Sequence, residues 1–127
     1  LVGEARLRVE EANTASHLGS GQVPVLATPE MIRLMEQASV AAVDPLLPEG
    51  SRTVGVHVDV KHIAATPVGL EVTARAELVE VEGRRLTFRV EASDERERIG
   101  EGTHQRVIID LARFQARVHE KAASGKA

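Results

Sequence analysis

The sequence has no cysteine, no tryptophan and no tyrosine. Without cysteine there is no disulfide framework, no thiolate metal site and no cysteine nucleophile, a composition that fits a reducing compartment. Only two aromatic residues occur, Phe88 and Phe114. The core must therefore be built from Val, Leu, Ile and Ala. No apolar run is long enough to span a bilayer, and the opening Leu1-Val2-Gly3-Glu4 does not read as a secretory signal. The expectation is a cytoplasmic protein with no membrane part. No charge of one sign dominates: 16 Lys and Arg stand against 19 Asp and Glu, a net charge of −3. That balance argues against broad nucleic-acid binding, yet leaves room for a few arginines that grip a small anionic ligand. His57 and Asp59 share a strand face, but no third ligand stands at a useful spacing, so no metal and no cofactor are expected.

What is present suits one domain, residues 1–127, with 43% hydrophobic and 28% charged residues. Residues 4–11 alternate weakly and read as a first strand. Residues 13–24 (NTASHLGSGQVP) are small and polar and read as a loop. Thr28-Pro29 opens a helix that runs to Val43, where Asp44-Pro45 stops it. The pattern then switches to period two. Val54, Val56, Val58 and Val60 alternate along a strand continuing towards Ala65, and Thr66 to Gly69 turn the chain. Leu70, Val72, Ala74, Ala76 and Leu78 form the next inward face, Glu82-Gly83 marks a hairpin, and Leu86, Phe88, Val90 and Ala92 follow. Residues 98–110 make a last strand and 111–123 a short amphipathic helix, with Ser124 to Ala127 as a frayed tail. Strand, long helix, then four strands joined by short turns is an α+β arrangement. Each strand has one face to bury, and the helix is the object to bury it on: a curved antiparallel sheet wrapped around one long helix. Such a sheet keeps a free edge, for which a homodimer is the simple remedy.

One residue in the helix sits oddly. On a helical wheel Glu30, Arg33 and Gln37 share a polar sector, while Met31, Leu34, Met35, Ala38 and Ala42 fill an apolar one. Glu36 falls instead among Ile32, Val40 and Val43. If the sheet or a second subunit covers that sector, a carboxylate is partly buried, which is costly unless it has donors or a use. The plain alternative is a margin position from which it reaches solvent. His62 has the parity of the four valines and points to the helix-packing face, as a catalytic imidazole or as a histidine bonded to the backbone. Thr28 brings a hydroxyl to the positive end of the helix, where a nucleophile or an N-cap is equally at home. Carboxylate, imidazole and hydroxyl together suit water activation or acyl transfer.

The runs LMEQASVAAV, VKHIAATPVGLEVTARAEL, VEGRRLTFRVEA and IGEGTHQRVIIDLARFQARV resemble the fluoroacetyl-CoA thioesterase type of hotdog-fold protein from the helix onward. The resemblance implies a hotdog fold, a dimer, and hydrolysis of a small acyl-CoA thioester. It places the family's catalytic threonine on Thr28, its glutamate on Glu36 and its histidine on His62. Gly55 matches a glycine near the substrate carbonyl, and Arg106 an arginine of the same pocket. One departure is visible. Fluoroacetyl-selective members have phenylalanines just before the helix, whereas this chain has Leu18-Gly19-Ser20-Gly21-Gln22. An aromatic lid is therefore altered or absent.

Other features read less specifically. Gly100 and Gly102 mark either close packing or a ligand approach. Arg84 and Arg85 are solvated or meet CoA phosphates, His17 is a surface residue, and His104 carries no assignment. Competing functions are a non-catalytic acyl-CoA or lipid-binding hotdog module, an enoyl-CoA hydratase (for which the usual Asp and His on one segment are missing), and an assembly subunit.

Overall fold

The computed structural model describes residues 1–124. Of the expected tail, 125–127 lie outside the described residues, and Ser124 closes the last helix. The order is β1 (Val2–Arg8), a 3-10 turn (Glu11–Asn13), α1 (Ala15–Leu18), α2 (Thr28–Val43), a 3-10 turn (Asp44–Leu46), β2 (Ser51–His62), β3 (Glu71–Glu82), β4 (Arg85–Ser93), β5 (Arg98–Asp110) and α3 (Leu111–Ser124). The five strands form one antiparallel sheet in the order β1-β3-β4-β5-β2. β1 and β2 are its two edges.

The inward faces are the expected ones. Val72, Ala74 and Ala76 of β3 and Leu86, Phe88, Val90 and Ala92 of β4 are buried. They meet the stripe of α2 made by Met31, Leu34, Met35, Ala38 and Ala42. Fully burying one such large apolar side chain is worth about 1.5–3 kcal/mol. Small residues set how close the layers come. A Cβ at Gly3 of β1 would overlap the Ala38 carbonyl and lie 2.6 Å from the Ala42 nitrogen. The helix thus rests directly on β1 and β3, and barely reaches β2. The concave face near β2 is left open in the single chain.

Four local expectations are corrected. β1 covers 2–8 rather than 4–11, because the chain turns after Val9: Asn13 Oδ1 accepts the Glu10 N–H at 2.9 Å. Within the expected loop 13–24, α1 forms, capped by the Thr14 hydroxyl and ended by Gly19 at φ 72°. The valine ladder of β2 is not continuous in parity. Gly55 pairs with Arg106 and His57 with Gln105, so Val56 is an extra residue in a β-bulge. Thr53 and Gly55 share the helix-facing side with Val58, Val60 and His62, while Val54 points outward. The strand also ends at His62 rather than near Ala65, since the Ile63 and Ala64 N–H groups both turn to the Ile99 carbonyl, at 2.7 and 3.3 Å.

α3 matches its expected span almost residue for residue, but Phe114 and Val118 on its apolar side are exposed. Among the described residues no helix is long and apolar enough to cross a membrane.

Candidate active site

Thr28 is the first residue of α2, and Ala27 holds the N-cap position with no side-chain cap bond. The capping reading of Thr28 is thereby corrected. Its Oγ1 lies instead 2.8 Å from Nδ1 of His62 at the end of β2. Burial lowers the His62 pKa from 6.5, against a smaller opposing effect of the Ala64 backbone. The ring is therefore neutral near neutral pH and able to take a proton. Its Nε2 is buried and has no hydrogen-bond partner among the described residues. The pair stands in the wall of a cavity of about 380 Å³, beneath Ser20, Gly21, Gln22 and Val23 of the segment that precedes α2.

Glu36 is two turns further along α2, about 12 Å in axial rise. Its side chain is 40% exposed, and Oε2 lies 3.9 Å from Nη1 of Arg106, whose own side chain is 8% exposed. Arg106 is held on every side. Nε donates to Thr53 Oγ1 at 2.8 Å, Nη2 to the Thr53 carbonyl at 3.0 Å, and Nη1 lies 3.2 Å from His104 Nε2. Thr53 is fixed in turn by Asp44, its hydroxyl donating at 2.6 Å and its N–H at 3.2 Å. His104 Nδ1 is 2.7 Å from the His57 carbonyl. A carbonyl only accepts, so Nδ1 carries the proton and Nε2 accepts from Arg106. Burial lowers the His104 pKa from 6.5; the His57 carbonyl opposes this and the Arg106 charge adds to it. Burial also lowers the Arg106 pKa, opposed by the charges of Asp44 and Glu36.

Gly55 belongs to this second group. A Cβ there would stand 3.1 Å from Glu36 Oε2, 3.2 Å from His104 Cε1 and 3.3 Å from Arg106 Nη1. The bulge at Val56 leaves backbone polar groups outside the ladder beside it.

The five residues singled out in the sequence thus fall into two clusters. Thr28 meets His62, and Glu36 meets Gly55 and Arg106. Along β5, the partner of His62 is Gly100 and that of Gly55 is Arg106, a separation of about 20 Å at strand rise. No hydrogen bond or ion pair joins Glu36 to His62 within one chain, among the described residues. Asp44, Thr53 and His104 were not singled out. The alternation of Gly100, Gly102, His104 and Arg106 was a usable signal for His104, since β5 runs through Gly102 with no register shift. Asp44 reads as a helix stop, and only the tertiary fold brings Thr53 to it. Close packing accounts for the two strand glycines: a Cβ at Gly100 would overlap the Met31 sulfur, and one at Gly102 the Asp59 carbonyl. His57 and Asp59 are exposed on the opposite face, and Arg85 bonds Gln105 at the surface.

The sequence and the fold have close relatives. The sequence family described as fluoroacetyl-CoA-specific thioesterase matches residues 9–112. The fluoroacetyl-CoA thioesterase of Streptantibioticus cattleyicolor is 50% identical over 101 residues, 80% of this chain and 73% of that protein. A solved structure of a fluoroacetyl-CoA thioesterase superposes with a TM-score of 0.88 at 42% identity, over 95% of this chain and 94% of that one. A thioesterase superfamily member from Thermus thermophilus gives 0.88 at 31% identity, over 98% and 94%. The chain belongs to the fluoroacetyl-CoA-specific thioesterase family and is a thioester hydrolase of the hotdog fold.

Proposed function

We propose that this enzyme hydrolyses small acyl-CoA thioesters at a site built by Thr28, Glu36 and His62, with Gly55 and Arg106 at the substrate carbonyl. The observation that carries the proposal is the bond of 2.8 Å between Thr28 Oγ1 and a neutral, half-buried His62, opening onto a cavity. A mere binder has no need of a hydroxyl and an imidazole locked together. The N-terminus of α2 favours negative charge on an attacking oxygen, and backbone N–H groups beside Gly55 would receive the developing oxyanion. His62 takes a proton from water or from Thr28. Glu36 either orients that water or attacks the carbonyl itself, to be released by hydrolysis.

The active unit we infer is a homodimer. β2 is a free edge carrying exposed Val56 and Val58, with exposed Ile63 just beyond its end, a surface that invites strand pairing. Two copies of β2 pairing antiparallel about a twofold axis near Val58 and Asp59 would set His62 opposite Gly55 of the partner subunit. That arrangement unites Thr28 and His62 of one protomer with Glu36, Gly55 and Arg106 of its partner. We place the enzyme in the cytoplasm, on its cysteine-free composition and its CoA substrate.

The test is thiol release from a panel of acetyl-, fluoroacetyl-, medium-chain and aryl-acyl-CoAs. Turnover of short acyl groups, lost in both Glu36→Ala and His62→Ala, is the expected result. Unchanged turnover in those variants, or none in the wild type, would remove the proposal.

A further inference from the structure

We propose that His104 is a positioning residue for the Glu36 carboxylate, acting through Arg106; the inference rests on the thioesterase reading above. A free arginine is long and flexible, and near a CoA site it would ordinarily reach for phosphate. Arg106 cannot do so. Two of its nitrogens are spent on Thr53, which Asp44 anchors, and the third on His104. Of its five N–H groups one on Nη1 and one on Nη2 remain, and Nη1 is the nitrogen that faces Glu36 Oε2, at 3.9 Å.

His104 decides where that nitrogen sits. Thr53 anchors only the Nε and Nη2 side of the guanidinium. Thr53 sets the plane of the rigid guanidinium, and the imidazole lone pair holds its Nη1 end in place; without it one Nη1 N–H would be a buried donor with no acceptor. The lone pair is available because the His57 carbonyl claims the proton of Nδ1. That carbonyl follows directly on the Val56 bulge. One backbone irregularity therefore sets Gly55 against the Glu36 carboxylate and fixes the tautomer that steers Arg106. A protonated His104 would offer Arg106 a donor instead of an acceptor; burial and the neighbouring cation keep the ring neutral.

The experiment compares His104→Phe with His104→Gln. Phenylalanine fills the space beside Phe88, whose ring stacks on His104 at 6.3 Å, but accepts no hydrogen bond. Glutamine restores an acceptor. In acyl-CoA hydrolysis, His104→Phe is expected to lower kcat about 10- to 100-fold with KM within about twofold, as for a displaced reacting group. His104→Gln should recover most of that loss. In an Arg106→Lys background, His104→Phe should cost nothing more. Side-chain 15N–1H spectra give a readout without substrate. The wild type should show one slowly rotating guanidinium with separate Nη signals, assigned by their loss in Arg106→Lys. They should merge in His104→Phe and separate again in His104→Gln. Unaltered Nη signals in His104→Phe, wild-type kcat in that variant, or an effect fully additive with Arg106→Lys would overturn the inference. Because the spectra need no turnover, a wild type that hydrolyses no acyl-CoA would remove the thioesterase reading alone.

Discussion

Thr28 Oγ1 and His62 Nδ1 stand 2.8 Å apart, and this bond joins the first residue of α2 to the last of β2. The threonine is not the helix cap, which separates its chemistry from its structural value. Thr28→Ala should change stability by less than about 1 kcal/mol, the usual scale of a lost cap or hydroxyl bond. The same change should lower kcat by about 100-fold or more, the scale of a positioned proton-transfer group. Thermal melts and steady-state kinetics on one preparation check both halves.

The glycines of the site and of the packing layer should separate in the same way. Gly55→Ala places a methyl group 3.1 Å from Glu36 Oε2, so activity should fall with only a small shift in melting temperature. Gly100→Ala drives a methyl into the Met31 sulfur and to 3.0 Å from the Lys61 carbonyl. Its cost should be stability, about 1–3 kcal/mol as for other overpacked cores, with kcat per folded molecule retained. Denaturant titration of the two variants side by side distinguishes them.

Stability should fall with acid. Burial lowers the pKa of both His62 and His104 in the folded chain, from 6.5. The Ala64 backbone opposes the shift at His62. At His104 the His57 carbonyl and Glu36 oppose it, and Arg106 reinforces it. The unfolded chain therefore binds protons first as pH drops. The stability contributed by these rings is fully present above the unfolded value and is lost as pH falls through the folded ones. The melting temperature should decline as pH falls below the unfolded value of 6.5, and the decline should be shallower in His104→Gln. A flat profile in the wild type would show that neither ring is held neutral.

The segment above the Thr28–His62 cavity has Ser20, Gly21, Gln22 and Val23 and no aromatic residue. Rates on acetyl- and fluoroacetyl-CoA should therefore be similar. A strong preference for the fluorinated substrate would show that recognition of fluorine needs no aromatic lid here.

Much of the fold was legible because its signals are local. Period-two alternation placed β3, β4 and β5, and Thr28-Pro29 with Asp44-Pro45 bounded α2 to the residue. The bulge at Val56 was not legible, since an extra residue in a valine-rich strand leaves the composition unchanged and shows only in the pairing with β5. α1 was hidden by its brevity: four residues carry no periodicity, and only Thr14 and Gly19 frame it. The candidate residues could be picked out as residue types, but their placement in two groups could not. Two clusters about 20 Å apart along the sheet follow from where Gly55 and His62 fall on β2, which one sequence read as one chain does not reveal.

Whether the acid attacks carbon or activates water is a question of where solvent oxygen goes. Label in the Glu36 carboxylate after a single turnover in heavy-oxygen water would mark an acyl-glutamyl anhydride opened at the glutamyl carbon, whereas label in the released acid alone marks attack of water at the acyl carbon. Peptide mass spectrometry of residues around Glu36 reads the difference.

The most direct measurement joins two dead proteins. Glu36→Gln and His62→Gln, each inactive alone, are co-expressed with different tags and the mixed dimer is isolated. If each site draws its imidazole from one protomer and its carboxylate from the other, one of the two sites is intact, and the mixed dimer should show about half the wild-type activity. A mixed dimer as inactive as its parents would contradict the shared site.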